Sequence, residues 1–204
     1  MFMNINKLYR FSRKLRAYFY IYWNRLFFLS SGVKFGRNMH VYNKFYLQKS
    51  TSAKISIGNN FEFSSGEAFN PLCRNIRGCI YASKNACIHI GNNVGISSAC
   101  IWASEGIIIK NNVKIGGGSI LIDTDAHSLD YMQRRHYSTD LSNTKSCAIV
   151  IEDDVLIGTN CIILKGVTIG AHSIIGAGSV VTKSIPSDCI AAGNPAKIVK
   201  HLIM

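Results

Sequence analysis

Aliphatic residues recur at every sixth position along most of the chain. The clearest run is Ile151, Ile157, Ile163, Ile169, Ile175 and Val181. The same period appears upstream at Ile90, Ile96 and Trp102, and it resumes after one extra residue at Ile109, Ile115 and Leu121; weaker early members are Phe35, Val41, Ile57 and Phe63. A helix repeats about every 3.6 residues and a strand about every two, so neither element alone explains this period.

A prism of short strands joined by tight corners does give a period of six. Each hexapeptide then forms one face, three faces form one coil, and the first residue of each hexapeptide points inward. The fifth residue is small or β-branched and would share the interior: Val94, Val113, Ser119, Val155, Cys161, Val167, Ser173 and Ser179. We expect unusual backbone angles at the corners, where Gly follows the aliphatic residue (36, 58, 91, 116, 158, 170, 176) and Asn or Asp pairs occur (59–60, 92–93, 111–112, 153–154).

The main interruption of the repeat runs from Asp123 to Cys147. This segment is polar, contains no Gly or Pro, and is rich in Tyr, Arg and Asp. A long segment without a repeat inside a tightly coiled domain is usually functional. His127 stands six residues after Leu121, where an aliphatic residue is due, and we therefore expect His127 to serve chemistry.

The repeat and its interruption resemble the hexapeptide-repeat acyltransferases with a left-handed β-helix, and among them the bacterial sugar and polysaccharide O-acetyltransferases. The resemblance covers roughly residues 33–200 and rests on four segments: Asp123-T-D-A-His127-S-L-D, Val155-L-I-G-T-N-C-I-I-L-K-G-V-T-I-G, Ile175-G-A-G-S-V-V-T-K and Ala192-G-N-P-A-K. It implies a mainly β protein. The expected architecture is a left-handed parallel β-helix with an N-terminal helical segment, one protruding loop and a short C-terminal helix that begins at Asn194-Pro195.

This resemblance also sets the expected domain organisation. Residues 1–32 form a basic, aromatic helical lead, and residues 33–204 form the β-helix domain, with an excursion loop at 127–148 and a tail at 186–204. The length leaves room for about six coils, and we expect no second domain. A fused nucleotidyltransferase is excluded on this expectation, since no Gly-rich phosphate loop precedes the coils.

In chemical terms, the resemblance implies transfer of an acetyl group from acetyl-CoA to a sugar hydroxyl. The family's general base maps onto His127, and imidazole is suited to this role because its pKa lies near neutral pH. Asp125 or Asp123 is expected either to orient the imidazole ring, with Asp125 the preferred catalytic partner, or to be a satisfied turn residue.

Acetyl-CoA is expected to bind along the late coils, between neighbouring subunits of a homotrimer. By resemblance, the small residues Thr159, Gly176 and Ala177 admit the pantetheine arm, and Thr182 and Lys183 lie near the nucleotide. Lys197 and Lys200 are expected either to bind a phosphate or to be solvated on the terminal helix. No metal is expected.

The carbohydrate acceptor is expected to contact side chains in or beside the interruption: Trp102, Tyr131, Arg134 and Arg135. Several relatives carry Trp just before the I-G that follows the loop, whereas this chain has Leu156, which weakens any transfer of acceptor contacts. The expected acceptor is a bacterial surface polysaccharide (capsule or lipopolysaccharide) or its precursor. A small sugar or xenobiotic is the alternative.

The charge of the chain is concentrated near the N-terminus. The chain has 23 Lys and Arg against 11 Asp and Glu, for a net charge of +12. Residues 1–50 contain ten of the cations and no acid, so the body is close to neutral and a nucleic-acid partner is not expected. The aromatic run Ala17–Leu29 is too short to cross a bilayer. Residues 1–30 either pack on the domain or a neighbouring subunit, or contact a membrane surface.

The seven cysteines form no C-x-x-C pair, and we expect free thiols in the cytoplasm. Peripheral attachment to the inner face of the plasma membrane is the alternative location. Two rival functions remain: a zinc hydratase on the same fold, using histidines such as His89, His127, His136 and His172, and a non-catalytic scaffold that binds surfaces through the basic front end.

Overall fold

The structure is a computed structural model that describes residues 5–66, 69–73 and 75–202. The ends of the expected lead and tail, residues 1–4 and 203–204, lie outside these described residues. Helix α1 spans Ile5–Ser30 and helix α2 spans Tyr137–Asn143, and 3-10 turns span Pro71–Cys73 and Gln133–Arg135. The strands are β1 (Lys34–Phe35), β2 (His40–Tyr42), β3 (Phe45–Lys49), β4 (Lys54–Ile57), β5 (Glu62–Ser64), β6 (Gly78–Ala82), β7 (Cys87–Ile90), β8 (Gly95–Ser97), β9 (Cys100–Ala103), β10 (Gly106–Ile109), β11 (Lys114–Ile115), β12 (Ile120–Ile122), β13 (Ile149–Ile151), β14 (Leu156–Ile157), β15 (Ile162–Leu164), β16 (Thr168–Ile169), β17 (Ile174–Ile175), β18 (Val180–Val181), β19 (Cys189–Gly193) and β20 (Ala196–His201).

As far as β18, every third strand joins the same sheet, so the three sheets form the faces of a prism. The first sheet has the order β1-β4-β7-β10-β13-β16, the second β2-β5-β8-β11-β14-β17-β19-β20, and the third β18-β15-β12-β9-β6-β3. All pairs are parallel except β19 with β20. The coil predicted from the six-residue period is therefore confirmed.

The interior is a continuous column of aliphatic side chains. The first-position residues of the late run, Ile151 to Val181, are fully buried, and so are the fifth-position residues Val94, Ser119, Cys161 and Ser179. The expectation failed for Trp102, because Ile101 and Ala103 fill the interior and Trp102 lies on the outer surface of the third sheet. Ile96 pairs with Ile115 and Ile101 pairs with Leu121, so the step from β8 to β9 is five residues instead of six, and the inward register shifts by one.

Two different structural requirements determine the residues at the corners. The second residue of each Asn or Asp pair has a positive φ, as predicted: Asn60, Asn93, Asn112 and Asp154. The corner glycines do not, and they are required for a different reason. A Cβ on Gly158 would lie 2.6 Å from the backbone nitrogen of Ala177, and one on Gly116 would lie 2.5 Å from that of Thr159. Glycine is needed because adjacent coils approach this closely.

Side-chain ladders connect the coils along the edge between the first and second sheets. The backbone N–H of Asn59 donates to Asn92 Oδ1 (2.8 Å), that of Asn92 donates to Asn111 Oδ1 (2.9 Å), and that of Asn111 donates to Asp153 Oδ1 (2.8 Å). Each carboxamide or carboxylate thus accepts a backbone donor from the coil below, which leaves few corner groups unpaired.

Helix α1 closes the lower end of the prism through its C-terminal half. Phe28 is fully buried, and its ring centroid lies 5.4 Å from that of Phe45, which in turn lies 4.7 Å from that of Phe63. The buried Asn24 donates from Nδ2 to the carbonyl oxygens of Val41 (2.8 Å) and Asn43 (3.0 Å). Among the described residues, no helix is long and apolar enough to span a bilayer.

The predicted C-terminal helix is wrong. Strand β19 continues the second sheet by pairing with β17, and β20 then turns back to pair antiparallel with β19. Gly193, with φ +108°, and the cis Asn194-Pro195 peptide form the turn between them. The last coil would otherwise expose an unpaired strand edge, and β20 covers that edge. Lys197 and Lys200 therefore lie exposed on a strand.

We predict that Gly158→Ala destabilises the fold by about 1–3 kcal/mol, since the new methyl meets backbone rather than a flexible side chain. Gly106→Ala is the matched control, because its Cβ would meet Cys87 O at 3.5 Å and Ala148 Cβ at 3.7 Å, which are ordinary contacts. Thermal melting of both variants tests the close-approach explanation. Equal melting midpoints would contradict it.

Candidate active site

The excursion predicted from the repeat leaves the prism between β12 and β13, at the edge between the third and first sheets. Its base is a short antiparallel stalk, in which Thr124 bridges Ser146, the N–H of Asp125 donates to Lys145 O (3.0 Å) and the N–H of Cys147 donates to Asp123 O (2.9 Å). Beyond the stalk, the loop contains the 3-10 turn and α2. The stalk gives a long polar segment a fixed point of departure.

Asp123 fixes the stalk to the preceding coil. Its fully buried carboxylate accepts three backbone N–H groups of the preceding coil: Ser104 (2.6 Å), Glu105 (2.9 Å) and Gly106 (2.6 Å). Burial raises the pKa of Asp123, while these three donors oppose the rise. Asp123 is thus fully engaged with backbone, and its place in the site is structural.

Asp140 on α2 holds His127. Its Oδ2 lies 2.7 Å from His127 Nδ1, and its Oδ1 accepts the Ser128 N–H at 2.7 Å. These two contacts, the His127 hydrogen bond first, lower the pKa of Asp140. An ionised carboxylate can only accept, so Nδ1 is the donor, and in the neutral form of the ring the lone pair is on Nε2. This is the arrangement a general base needs.

Asp125, expected to orient the ring, does not do so. Its Oδ2 lies 2.7 Å from Lys165 Nζ, an ion pair that ties the stalk to the next coil. Sequence reasoning missed Asp140 because it stands 13 residues from His127. Only the path of the loop brings the two together, and the local sequence carries no signal for that path.

Of the residues expected to contact the acceptor, one stabilises the loop itself, two are exposed to solvent, and Trp102 packs on the third sheet. Arg134 donates from Nη1 to the carbonyl oxygens of Ser128 (2.6 Å) and Leu129 (3.1 Å), so it braces the loop. Arg135 lies over the ring of Tyr131 at 5.6 Å, and both are exposed. Trp102 packs edge-on against Tyr81 one coil below the loop, and its buried Nε1 has no partner among the described residues.

The expected cofactor residues fall on two different edges of the prism. Thr159, Gly176 and Ala177 lie at the edge between the second and third sheets, where the Gly178 N–H donates to Thr159 O and the β19–β20 hairpin adds Lys197 beside Ala192. We call Thr159, Gly176, Ala177 and Lys197 the corner strip. Lys200 pairs with Ile190 on the same hairpin. Thr182 and Lys183 instead follow β18, at the edge that carries the excursion.

Two features near the corner strip were not predicted. The described residues between β5 and β6 (65–66, 69–73 and 75–77) belong to a second excursion at the edge of the corner strip, and Cys73 Sγ lies 3.0 Å from where a Cβ on Gly117 would be. The gap in the repeat between Phe63 and Ile90 was its signal. A groove of about 460 Å³ also crosses the outer surface of the second sheet, lined by Glu62, Ser64, Ser97, Lys114, Leu156 and Thr159 among others.

Glycines contribute part of the lining of that groove. Lys114 lies between Gly95 and Leu156 in the register of the sheet, and a Cβ on Gly95 would meet Lys114 Nζ at 2.9 Å. The Lys114 side chain occupies the space that Gly95 leaves, and Gly116 and Gly158 line the adjacent row. Carboxylate, hydroxyl and ammonium groups beside an apolar Leu156 are able to bind a hydroxylated ligand.

The sequence and the fold are similar to those of known proteins. Residues 148–183 match the family described as bacterial transferase hexapeptide (six repeats). A hexapeptide-repeat acetyltransferase of Vibrio cholerae, solved with acetyl coenzyme A, is 35% identical, with a TM-score of 0.53 over 61% of this chain and 66% of that one. A maltose O-acetyltransferase of Clostridium difficile is 26% identical, with a TM-score of 0.55 over 71% and 67%.

The fold is thus the left-handed parallel β-helix of hexapeptide repeats, as predicted. The match to the hexapeptide-repeat transferase family covers residues 148–183, within the later coils of the prism. A Schizosaccharomyces pombe protein that bears an acetyltransferase name is 38% identical over 116 residues, or 56% of this chain and 53% of that protein. The chain therefore spans about half the length of this curated relative.

We predict that Asp140→Ala frees the segment around His127. The Ser128 amide would exchange hydrogen at least about tenfold faster, because a charge-assisted hydrogen bond is lost. Asp125→Ala is the control, since its carboxylate faces Lys165. Hydrogen exchange over residues 127–147 measures both variants, and equal protection in Asp140→Ala and the unaltered chain would contradict the bracing role.

The pH dependence of this brace follows from the lowered pKa of Asp140. The folded-state pKa lies below the usual 3.8, so the contribution of Asp140 is present above that value and is lost as pH falls through the lowered pKa. Protection of the Ser128 amide should therefore persist at pH 5.

Proposed function

We propose that this chain is an acetyl-CoA-dependent O-acetyltransferase that acylates a sugar hydroxyl, with His127 as the general base. The observation that carries the proposal is the His127–Asp140 pair at the excursion loop, with Nε2 directed away from its carboxylate partner. The two acetyltransferase structures described above support the class of reaction.

In this reaction, His127 Nε2 accepts the proton of the acceptor hydroxyl while the hydroxyl oxygen attacks the thioester carbonyl carbon. The carbon–sulfur bond then breaks, and the imidazolium returns the proton to the departing sulfur. The products are the acetyl ester and the CoA thiol. Asp140 stays ionised throughout, so it stabilises the imidazolium and keeps the ring in one orientation.

Acetyl-CoA would lie along the corner strip. Gly176 and Ala177 present no bulky side chain, and Thr159 flanks them. The ammonium groups of Lys197 and Lys200 on β20 suit the phosphates, and Thr182 and Lys183 are a second cationic position on the neighbouring edge. Because Ala177 is exposed, the arm reaches the strip without any rearrangement of the core.

We propose that one site draws on two copies of the chain, in a homotrimer. His127 lies at the edge between the third and first sheets, and the corner strip lies across the third sheet from it, so a single prism separates them. The His127 side chain is 69% exposed in the single chain and open to a neighbour. The outer face of the third sheet is largely apolar, with Cys79, Cys100, Ile120, Ile162 and Val180 in one row.

The proposed acceptor is a sugar of a bacterial surface polysaccharide or its precursor. The groove on the second sheet offers Glu62, Ser64, Ser97 and Lys114 for hydroxyl groups, and Trp102, Tyr131 and Arg135 are further contacts. Both this groove and His127 are open to solvent, which suits a bulky glycan better than a small enclosed substrate. The proposed location is the cytoplasm, which the seven free cysteines support.

We predict that His127→Ala and His127→Gln lower kcat for acetyl-CoA-dependent acylation at least about 100-fold and leave the Kd for acetyl-CoA nearly unchanged. A panel of sugars and oligosaccharides supplies the acceptor, with CoA thiol release as the assay. His172→Asn is the matched control, because His172 Nδ1 also pairs with a carboxylate, Asp188 Oδ1, at 2.8 Å, but His172 lies at the edge between the first and second sheets, away from the excursion.

The control variant should retain the activity of the unaltered chain. If His127→Gln kept more than a few per cent of CoA release on the best acceptor, the general-base role would be refuted.

A further inference from the structure

Helix α1 has one face that the β-helix does not cover. Placed at 100° intervals, the residues that contact the body, Asn24 and Phe28, centre on one side of the helix. The opposite side carries Leu8, Phe11, Leu15, Phe19, Tyr22 and Leu26, whose exposed fractions range from 51 to 68%. Trp23, 58% exposed, borders this row. We call these seven residues the outer stripe.

Soluble proteins rarely expose a contiguous apolar patch of this kind. Where such a patch is exposed, it usually marks an interaction site. The outer stripe is continuous over about five helical turns, and its main row has a residue at every third or fourth position. It is independent of the packing that fixes α1, because Asn24 and Phe28 hold the helix from the other side. Something other than this chain's own prism is therefore needed to cover it.

The charges on α1 indicate the kind of partner that covers the outer stripe. The helix carries Lys7, Arg10, Arg13, Lys14, Arg16 and Arg25 and no acidic residue. On the helical projection, Arg16 borders one side of the outer stripe, and Lys7, Lys14 and Arg25 border the other. An apolar face that contains Trp, Tyr, Phe and Leu and is flanked by cations is the composition of helices that lie in a membrane interface.

A second copy of α1 is the competing occupant, and the charges disfavour it. In a symmetric helical bundle, the residues that border the apolar seam face their counterparts, and opposite charges there stabilise the pairing. Here every bordering charge is positive, and the first acidic residue of the chain is Glu62. Copies would repel one another, whereas an anionic surface would attract each of these cations.

We propose that the outer stripe of α1 docks on an anionic lipid bilayer, with the helix lying in the plane of the interface. The stripe enters the boundary between headgroups and acyl chains, and the flanking cations contact the lipid phosphates. Since no described helix can span a bilayer, this is attachment to the surface. The proposal concerns binding alone and does not depend on the proposed acyl transfer.

Vesicle flotation of the full chain tests this proposal, with phosphatidylcholine vesicles compared with vesicles in which phosphatidylglycerol replaces about a third of the lipid. We expect flotation with the anionic vesicles that falls as salt rises. Leu15→Ser with Phe19→Ser should reduce the bound fraction at least about tenfold. Leu141→Ser with Val199→Ser is the matched control, since both residues are exposed apolar side chains outside α1.

Trp23 gives a second readout, because its fluorescence shifts to the blue on entering the interface; Trp102→Phe removes the other indole. The absence of flotation with anionic vesicles, or equal flotation of the stripe variant, would overturn the proposal. So would a stripe variant that changes the oligomeric state of the chain in solution, measured by light scattering, because a second copy would then be the occupant.

Discussion

Backbone pairing between successive coils is the constraint on which the rest of this structure depends. Coils stacked at about 4.8 Å leave no room for a side chain where a corner passes directly over the next one. Glycine at 116 and 158 follows from this distance, and the Asn and Asp ladders follow from the need to pair corner donors. A body built in this way has little freedom to vary, so chemistry has to be placed on segments that leave it.

The excursion at 123–147 is such a segment, and two carboxylates with different roles fix its structure. Asp123 is buried and binds three backbone donors, which fixes where the loop departs. Asp140 is on the loop itself, and it fixes both Ser128 and the ring of His127. Arg134 completes the brace by binding the carbonyl oxygens on the same turn. A histidine that is largely exposed is thereby held in one orientation without burial.

The period of six was sufficient to predict the coil, the inward residues and the place of the main loop, because each depends on spacing along the chain. The failures share a different cause. Asp140 pairs with His127 only because of the path of the loop, and the tail forms a hairpin because β19 presents an open edge that the sequence pattern does not reveal. Trp102 lies outside the interior because the step from β8 to β9 is one residue shorter than the period of six. The stripe on α1 was visible as an aromatic run, but which side the prism leaves open required the structure.

The central claim is that His127 of one copy acts on a thioester held by the corner strip of the next. It is tested most directly by co-expressing two differently tagged variants, His127→Ala and Ala177→Trp, and purifying the mixed trimers. Each variant alone should be inactive. Every mixed trimer of a three-fold ring has one intact combination among its three sites, so activity of about a third of that of the unaltered chain is predicted. Mixed trimers no more active than the separate variants would contradict the claim.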